Sequence, residues 1–256
     1  MFGKRIVLLI PHPDDEVVGC AEAIRQAVAQ GSDVFGCYLT NGVPHPSLLW
    51  PWQRTGHAAR VARRWHEAEA AAARLGIRMA LRQDIPTRAL KDHLAQTAAR
   101  LDGAFGALRP SVVWAPAYEG GHQDHDVTSY LARRVAERCE VWEFSEYNFE
   151  AGRVRSQRFI GPSGGEREIR LDAEAAREKQ ALLALYASER GNLSCVRCQR
   201  ECFRPLARYD YTRPPHPGRL FYQRFQWVPW HPRIDHTRPE AVCRAIAAFE
   251  KAASAR

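Results

Sequence analysis

The sequence predicts a Rossmann-like α/β fold, in which a mainly parallel sheet carries helices on both faces. Short apolar runs alternate with helical patterns along the first 150 residues, and this alternation is typical of βαβ units. The runs are apolar at nearly every position rather than at every second one, as expected for strands that are buried on both sides. The C-terminal part lacks the alternation, and there we expect an irregular cover over the sheet.

Five strands are expected, at residues 5–10, 33–40, 77–82, 111–116 and 139–147. Helices are predicted at 17–30, 53–75, 88–108, 126–138, 172–188 and 240–252. Gly31 and Gly76 stand where helix C-caps favour glycine. The Pro- and aromatic-rich stretch between the last two helices is expected to form irregular cover or short strands. No linker composition interrupts the chain, so we expect a single domain over residues 1–256.

Composition indicates a soluble globular protein, with 45% hydrophobic and 26% charged residues. The net charge is +8, and 33 of the 37 basic residues are Arg. These residues are scattered and do not form the basic cluster that binds phosphates, so nucleic acid is not expected as a partner. No apolar run approaches the ~18 residues of a membrane span. The first predicted strand begins at residue 5, which leaves no room for a signal peptide, and we therefore expect a cytoplasmic protein whose seven cysteines are mostly reduced.

Two strand ends deliver histidines and carboxylates to loops. His12-Pro13-Asp14-Asp15-Glu16 follows the first strand, and Glu119 to Asp126, which includes His122-Gln123-Asp124-His125, follows the fourth. Ligands of open α/β sheets collect at the carboxyl ends of the strands, where such loops can meet. Two imidazoles and one carboxylate that leave a coordination position open are the ligands of a catalytic zinc site.

Spacing suggests a division of labour within these loops. His12 and Asp15 are three residues apart and can aim at one point, whereas Asp14 points elsewhere and stays free to handle protons. His122 and His125 are also three apart, so that one can bind metal while the other faces substrate. An Asp-rich N-cap of the first helix is the competing explanation, but capping needs one Asp and does not account for the histidines.

These two motifs resemble those of the PIG-L/LmbE-like zinc-dependent N-deacetylases, and the resemblance covers roughly residues 4–190. It implies a Rossmann-like fold and hydrolysis of an N-acyl group, usually the N-acetyl group of an amino sugar. It also implies that His12, Asp15 and His125 bind one Zn²⁺ per chain, with another divalent metal such as Fe²⁺ as the alternative. Asp14 would be the general base, His122 would stabilise the oxyanion, and Asp124 would orient His122.

The resemblance extends to three weaker positions. Arg64-Trp65-His66-Glu67 is similar to the Arg-x-x-Glu segment in which the family's Arg contacts substrate. Asp84, just after the third strand, stands where relatives bind sugar hydroxyls. Tyr186-Ala187-Ser188-Glu189 is similar to a late segment that commonly ends Ser-Gln, with Glu189 in place of the Gln. Arg64 and Asp84 are therefore expected to bind the substrate.

The expected partner is a small N-acetylated sugar or glycoside. Neither nucleic acid nor a membrane is expected as a partner, and the formation of a homo-oligomer is left open.

A rival function is a non-haem iron oxygenase, because His12-Pro13-Asp14 with a distal His matches a 2-His-1-carboxylate triad. A non-catalytic sugar-binding protein is the third alternative. For Cys195, Cys198 and Cys202 a structural metal site, a disulfide and reduced thiols are all left open.

Overall fold

The computed structural model describes residues 1–161 and 163–254. Within these residues, nine strands form the sheets: β1 (Arg5–Ile10), β2 (Asp33–Tyr38), β3 (Ile77–Arg82), β4 (Val112–Pro116), β5 (Glu140–Ser145), β6 (Tyr147–Glu150), β7 (Arg153–Ser156), β8 (Arg167–Arg170) and β9 (Arg200–Pro205). The α-helices are α1 (Asp15–Ala29), α2 (Pro51–Arg54), α3 (His57–Leu75), α4 (Leu94–Leu108), α5 (Gln123–Val135), α6 (Ala173–Leu185), α7 (Arg190–Leu193) and α8 (Pro239–Ser254).

Seven of these strands form one sheet in the order β3-β2-β1-β4-β5-β9-β8, and β6 pairs with β7 as a separate hairpin. The strands from β3 to β5 run parallel, which confirms the predicted Rossmann-like α/β class. From β1, the next strands β2 and β3 are added on one side of the sheet, whereas β4 and β5 are added on the opposite side of β1, so the strand order reverses between β1 and β4. A crevice opens at such a reversal, so the loops after β1 and β4, which carry the two motifs, face each other.

Hydrophobic clusters cover both faces of the sheet. Ile6, Leu8 and Ile10 of β1 pack on one side with residues of α1, α3 and α6, and Val7 and Leu9 pack on the other with α4, α5 and α8. Since alternate side chains of a strand point to opposite faces, a strand enclosed on both sides has to be apolar throughout. This explains the uninterrupted apolar runs of the sequence.

The C-terminal part differs from the expected irregular cover in one respect. Its strand β9 extends the main sheet by pairing antiparallel with β5, and β8 pairs antiparallel with β9. Strand β8 is the edge strand, whereas β9 lies between β5 and β8 and buries two charged residues, Glu201 and Arg204, in ion pairs with Lys179 and Glu143. The remaining segment, residues 206–238, crosses the carboxyl ends of the strands, and we call it the C-terminal cover. In the described part of the chain no helix is long and apolar enough to cross a membrane.

Helix boundaries also differ from the expected ones. The helix expected at 53–75 is divided into α2 and α3 between Arg54 and His57, and the one expected at 88–108 begins with a 3₁₀ turn at Leu90–His93. Pro86 and the positive φ of 71° at Arg88 account for the late start of α4, since neither conforms to a regular helix.

Helix α1 is kinked at Cys20, whose φ and ψ are −147° and 22°. Glu201 of β9 accepts hydrogen bonds from the backbone N–H groups of Glu22 and Ala23, at 3.0 and 2.9 Å, and Lys179 pairs with the same carboxylate at 2.7 Å. Glu201 thus caps the second half of the helix in place of the missing backbone partners.

Candidate metal centre

The loop between β1 and α1 holds Asp14 in an unusual backbone conformation, with φ of 130°. The carbonyl of Asp14 accepts hydrogen bonds from the backbone N–H groups of Val17 and Val18 and so begins the helix. Left-handed backbone at a residue other than glycine costs free energy and is concentrated at functional sites. The loop brings Asp15 next to His12 and Asp14 next to Arg64.

Three ligand atoms meet between the two motif loops. Asp15 Oδ2 lies 3.1 Å from His12 Nδ1 and 3.2 Å from His125 Nε2, and these two nitrogens are 3.3 Å apart. All three residues are buried. The nearly equilateral triangle joins His12 and Asp15, which are neighbours in the sequence, to His125, which follows more than 100 positions later.

The triangle fits a tetrahedral zinc ion. Bonds of about 2.0–2.2 Å place the ligand atoms of such an ion about 3.3–3.5 Å from one another. The observed edges of 3.1–3.3 Å come within a few tenths of an ångström of that spacing. Burial opposes a positive charge on His12, but Asp15 and Asp124 outweigh it and raise the pKa of His12 to about 10. The same negative surroundings attract a divalent cation.

Asp124 orients His12, whereas the sequence assigned it to His122. Asp124 Oδ2 lies 3.0 Å from His12 Nε2 but 3.6 Å from His122 Nδ1, which is too long for a hydrogen bond. The backbone N–H of Arg88 and the hydroxyl of Thr87 donate to the same oxygen at 2.6 and 3.1 Å. A carboxylate that fixes one imidazole nitrogen leaves the other free for metal, an arrangement common around zinc-binding histidines.

Glu146 takes the corresponding position beside His125, and sequence reasoning missed it. Its Oε2 lies 3.5 Å from His125 Nδ1, on the side away from the ligand triangle. Burial, reinforced by Asp15, raises the pKa of Glu146 well above its ordinary range. Glu146 directly follows strand β5. A search for carboxylates just beyond strand ends, which led to the two motifs, could therefore have found it.

Asp14 lies outside the triangle and pairs with Arg64. The distance from Asp14 Oδ2 to Arg64 Nη2 is 2.8 Å, and both side chains are almost fully buried. Arg64 also contacts Glu189 at 3.0 Å and the Ser188 hydroxyl at 3.3 Å. Burial raises the pKa of Asp14 to about 7, against the opposing effect of Arg64. Asp14 therefore has the pKa of a proton acceptor near neutrality, and Arg64 is already engaged by protein groups.

His122 begins helix α5 and stands next to His12, with ring centroids 4.5 Å apart. Its Nδ1 accepts a hydrogen bond from the backbone N–H of Asp124 at 3.1 Å. Burial, followed by the nearby His12, lowers the pKa of His122 well below its ordinary value. A neutral ring whose Nδ1 is an acceptor carries its hydrogen on Nε2, so His122 is a hydrogen-bond donor at the site.

The other predicted positions lie farther out. Asp84 is exposed, and its Oδ1 accepts a hydrogen bond from the indole of Trp65 at 3.0 Å. The seven cysteines are all free thiols. Among the described residues, Cys195, Cys198 and Cys202 do not belong to any group of three potential metal ligands, and this leaves reduced thiols from the three alternatives.

Fold and site together define a Rossmann-like α/β protein with a candidate three-ligand metal centre at the reversal of the strand order. The model of the family described as PIG-L, GlcNAc-PI de-N-acetylase, matches residues 7–136. That match spans half of the chain and contains every ligand of the triangle, and the protein belongs to this family of deacetylases. No curated protein matches the chain in sequence.

Solved structures share the fold at low sequence identity. A deacetylase of the teicoplanin biosynthesis pathway is 18% identical, with a TM-score of 0.64 over 80% of this chain and 99% of that one. The N,N'-diacetylchitobiose deacetylase of Pyrococcus horikoshii is 17% identical, with a TM-score of 0.54 over 83% and 84%. The 4-carboxy-2-hydroxymuconate hydratase GalB of Pseudomonas putida is also 17% identical, with a TM-score of 0.55 over 81% and 98%. The fold thus hosts more than one reaction, and the function has to be argued from the site.

Proposed function

We propose that the protein is a metal-dependent amide hydrolase that removes the N-acetyl group from an amino sugar or from a sugar-containing small molecule. The observation that carries the proposal is the ligand triangle of His12, Asp15 and His125, with Asp14 beside it but outside it. The same geometry argues against the iron oxygenase, because that function requires Asp14 as the third ligand.

His12, Asp15 and His125 would hold the ion, which we take to be Zn²⁺. When bound, such an ion lowers the pKa of a coordinated water to about 7 and polarises the amide carbonyl. Asp124 keeps His12 in the tautomer that this binding needs, through its hydrogen bond of 3.0 Å with Nε2 of that ring.

Asp14 is the group that moves the proton. It accepts a proton from the attacking water and returns it to the amine nitrogen, so that the C–N bond breaks and acetate and a free amine result. A general base of this kind contributes about 10²–10⁴-fold to the rate. The ion pair with Arg64 fixes the direction of the carboxylate and favours its charged form at neutral pH.

His122 stabilises negative charge on the acyl oxygen. As the carbonyl carbon becomes tetrahedral, its oxygen gains charge, and the Nε2–H of His122 can donate a hydrogen bond to it. One preorganised donor of this type is worth about 2.7–4 kcal/mol. Because its ring is neutral before the reaction, His122 stabilises charge that appears only in the transition state.

In this proposal Arg64 holds Asp14, since its terminal nitrogens already contact Asp14, Glu189 and Ser188. Asp84 keeps the expected role. It is exposed at the end of β3, and its second carboxylate oxygen can accept hydrogen bonds from sugar hydroxyls. Asp84→Ala should therefore reduce kcat/KM for an N-acetylated sugar far more than for a small acetamide.

The deciding experiment is a screen of N-acetylated sugars for released acetate, with and without chelator. Acetate release that is lost with chelator and restored by Zn²⁺ is the expected result. The matched control is Asp14→Asn, which keeps the shape of the side chain and tolerates its backbone conformation but cannot accept a proton. Metal and sugar binding without turnover in the wild-type protein would instead indicate the non-catalytic sugar-binding alternative, and hydration of an unsaturated substrate would indicate the reaction of the related hydratase.

A further inference from the structure

The carboxylate of Asp124, which orients His12, is held by the segment of chain that follows strand β3. Its Oδ2 accepts hydrogen bonds from the backbone N–H of Arg88 at 2.6 Å and from the Thr87 hydroxyl at 3.1 Å. Its Oδ1 accepts a hydrogen bond from the backbone N–H of Leu90 at 3.2 Å. Asp124 is fully buried. The direction of this carboxylate, and through it the direction of the His12 ring, therefore depends on the backbone conformation of the chain at Thr87 to Leu90.

Arg88 has a backbone conformation that favours glycine. Its φ is 71°, in the left-handed region, where the Cβ atom of any residue other than glycine meets steric opposition from the backbone. Such a conformation persists only where the surrounding structure holds it, and it is concentrated at functional sites. An arginine at a position that suits glycine indicates that its side chain supplies the restraint.

The Arg88 side chain reaches the C-terminal cover. Its Nη1 donates hydrogen bonds to the backbone carbonyl oxygens of Pro232 and Ile234, both at 3.0 Å. We call residues 232–237, which contain both carbonyls, the anchor segment. A charged donor forms stronger hydrogen bonds than a neutral one. Two acceptors on one nitrogen also restrict where the guanidinium can lie, so the anchor segment and the Arg88 side chain hold each other in place.

A second contact joins the anchor segment to the residue before Asp124. Nε2 of Gln123 donates hydrogen bonds to Oδ2 of Asp235 and to the hydroxyl of Thr237, both at 2.7 Å. Gln123 is fully buried. Two residues that bind the anchor segment therefore flank Asp124: Gln123 precedes it in the sequence, and Arg88 is bonded to its carboxylate.

We propose that Arg88 is a positioning residue of the metal centre. Its side chain binds the anchor segment, and this contact holds the Arg88 backbone in the conformation that directs its N–H to Asp124. Asp124 in turn bonds Nε2 of His12, and Nδ1 of the same ring remains directed at the metal. The C-terminal cover, which lies outside the family match at residues 7–136, thereby supports the metal centre. The inference rests on the metal ligands of the proposed function but on no substrate, so metal binding can test it.

The measured quantity is the Kd of the whole chain for Zn²⁺, obtained by competition with a chromogenic chelator. Arg88→Met removes the hydrogen-bond donors and keeps an unbranched side chain at the left-handed position. The matched control is Arg233→Met, because Arg233 is exposed and lies in the anchor segment, between the two carbonyls that Arg88 binds.

We expect Arg88→Met to weaken zinc binding about 10-fold. This is the lower end of the range of about 10–100-fold for partners of metal-binding histidines, because Arg88 acts one step farther from the ion. Arg233→Met should leave the Kd unchanged. Equal Kd values for the Arg88→Met and Arg233→Met proteins would overturn the proposal.

Arg88→Gly separates the effect of the backbone from the packing of the cover. Glycine adopts a positive φ without strain, so this variant should retain more zinc affinity than Arg88→Met although it removes more of the side chain. A larger loss in Arg88→Gly than in Arg88→Met would show that lost packing, rather than the direction of the N–H group, weakens metal binding. That outcome would rule out the positioning role.

A double-mutant cycle tests whether Arg88 acts through Asp124. Asp124→Ala removes the carboxylate that Arg88 holds, so the addition of Arg88→Met to this variant should not weaken zinc binding further. An equal loss of affinity with and without the Asp124 carboxylate would mean that Arg88 affects the metal by another route, contrary to the proposal.

Coupling between two sites is reciprocal, so zinc should also affect the anchor segment. Hydrogen-exchange mass spectrometry should show that zinc slows exchange in residues 232–237 of the wild-type protein and has little effect there in Arg88→Met. Equal protection by zinc in both proteins would refute the coupling.

Acetate release separates this inference from the proposed function. If zinc affinity depends on Arg88 as expected but the wild-type protein releases no acetate from N-acetylated sugars, the positioning role stands and the deacetylase proposal fails. If zinc-dependent acetate release is found and Arg88→Met has the Kd of the wild-type protein, the deacetylase stands and the positioning role fails.

Discussion

The ion pair between Arg64 and Asp14 leads to a prediction about the pH dependence of activity. Asp14 has to be deprotonated to accept a proton from water. Burial raises its pKa to about 7 even with Arg64 alongside. Arg64→Met removes the positive charge while keeping an unbranched side chain of similar length, so the pKa of Asp14 should rise further and the acid limb of the kcat/KM profile should move to higher pH.

The size of the shift follows from the geometry. The two charged groups are 2.8 Å apart and almost fully buried, and an opposite charge at such a distance lowers the pKa of a carboxylate by about 1–3 units. Arg64 is shared with Glu189 at 3.0 Å, which weakens its effect on Asp14. We therefore expect the acid limb to move up by about 1–2 pH units. At pH values below the shifted acid limb, kcat/KM of Arg64→Met should be about 10–100-fold lower than that of the wild-type protein, and at alkaline pH the two values should converge.

The assay is acetate release from pH 5 to 10, with Arg63→Met as the control because Arg63 is exposed on the same helix. Glu189→Gln should move the acid limb to lower pH, because Arg64 would then form an ion pair with Asp14 and no longer with Glu189. A loss of activity in Arg64→Met that is the same at every pH, with a raised KM, would refute the reasoning and return Arg64 to substrate binding.

Four further outcomes are expected. Joint replacement of His12 and His125 by Ala should abolish zinc retention in elemental analysis, and full metal content in that variant would rule out the ligand triangle. Asp14→Asn should lower kcat by about 10²–10⁴-fold with normal metal content, whereas loss of metal would mean that Asp14 is a ligand. His122→Ala should lower kcat by about 10²–10³-fold with metal content intact, and a change confined to KM would contradict a transition-state role. Lys179→Met should lower the free energy of unfolding in urea by about 3–5 kcal/mol, because it leaves a buried carboxylate unpaired, and a loss below about 1 kcal/mol would show that the pair is dispensable.

The sequence by itself determined the class of fold and the two loops that carry the candidate ligands. Apolar runs such as Arg5–Ile10 are local signals, and each can be recognised because a buried parallel strand has to be apolar on both faces. The two motif loops were recognisable because histidines and carboxylates follow strand ends whose meeting point is fixed by the topology of a parallel sheet. The choice of His12, Asp15 and His125 among those residues is what the family resemblance implied. Strand β8 was missed, because a short edge strand of mixed polarity resembles a loop. For the stretch that contains β9, short strands were one of two alternatives that the sequence left open.

Only the tertiary structure decided which partner each side chain has. Asp124 bonds His12 rather than His122, Arg64 pairs with Asp14, and Glu146 lies on the far side of His125. Differences of less than 1 Å decide between such partners, as the distances of 3.0 and 3.6 Å from Asp124 show. Those differences depend on how the loops pack against one another across the crevice. Sequence spacing fixes which residues reach the crevice, but the packing of distant segments fixes where their atoms lie, and hydrogen bonding depends on the latter.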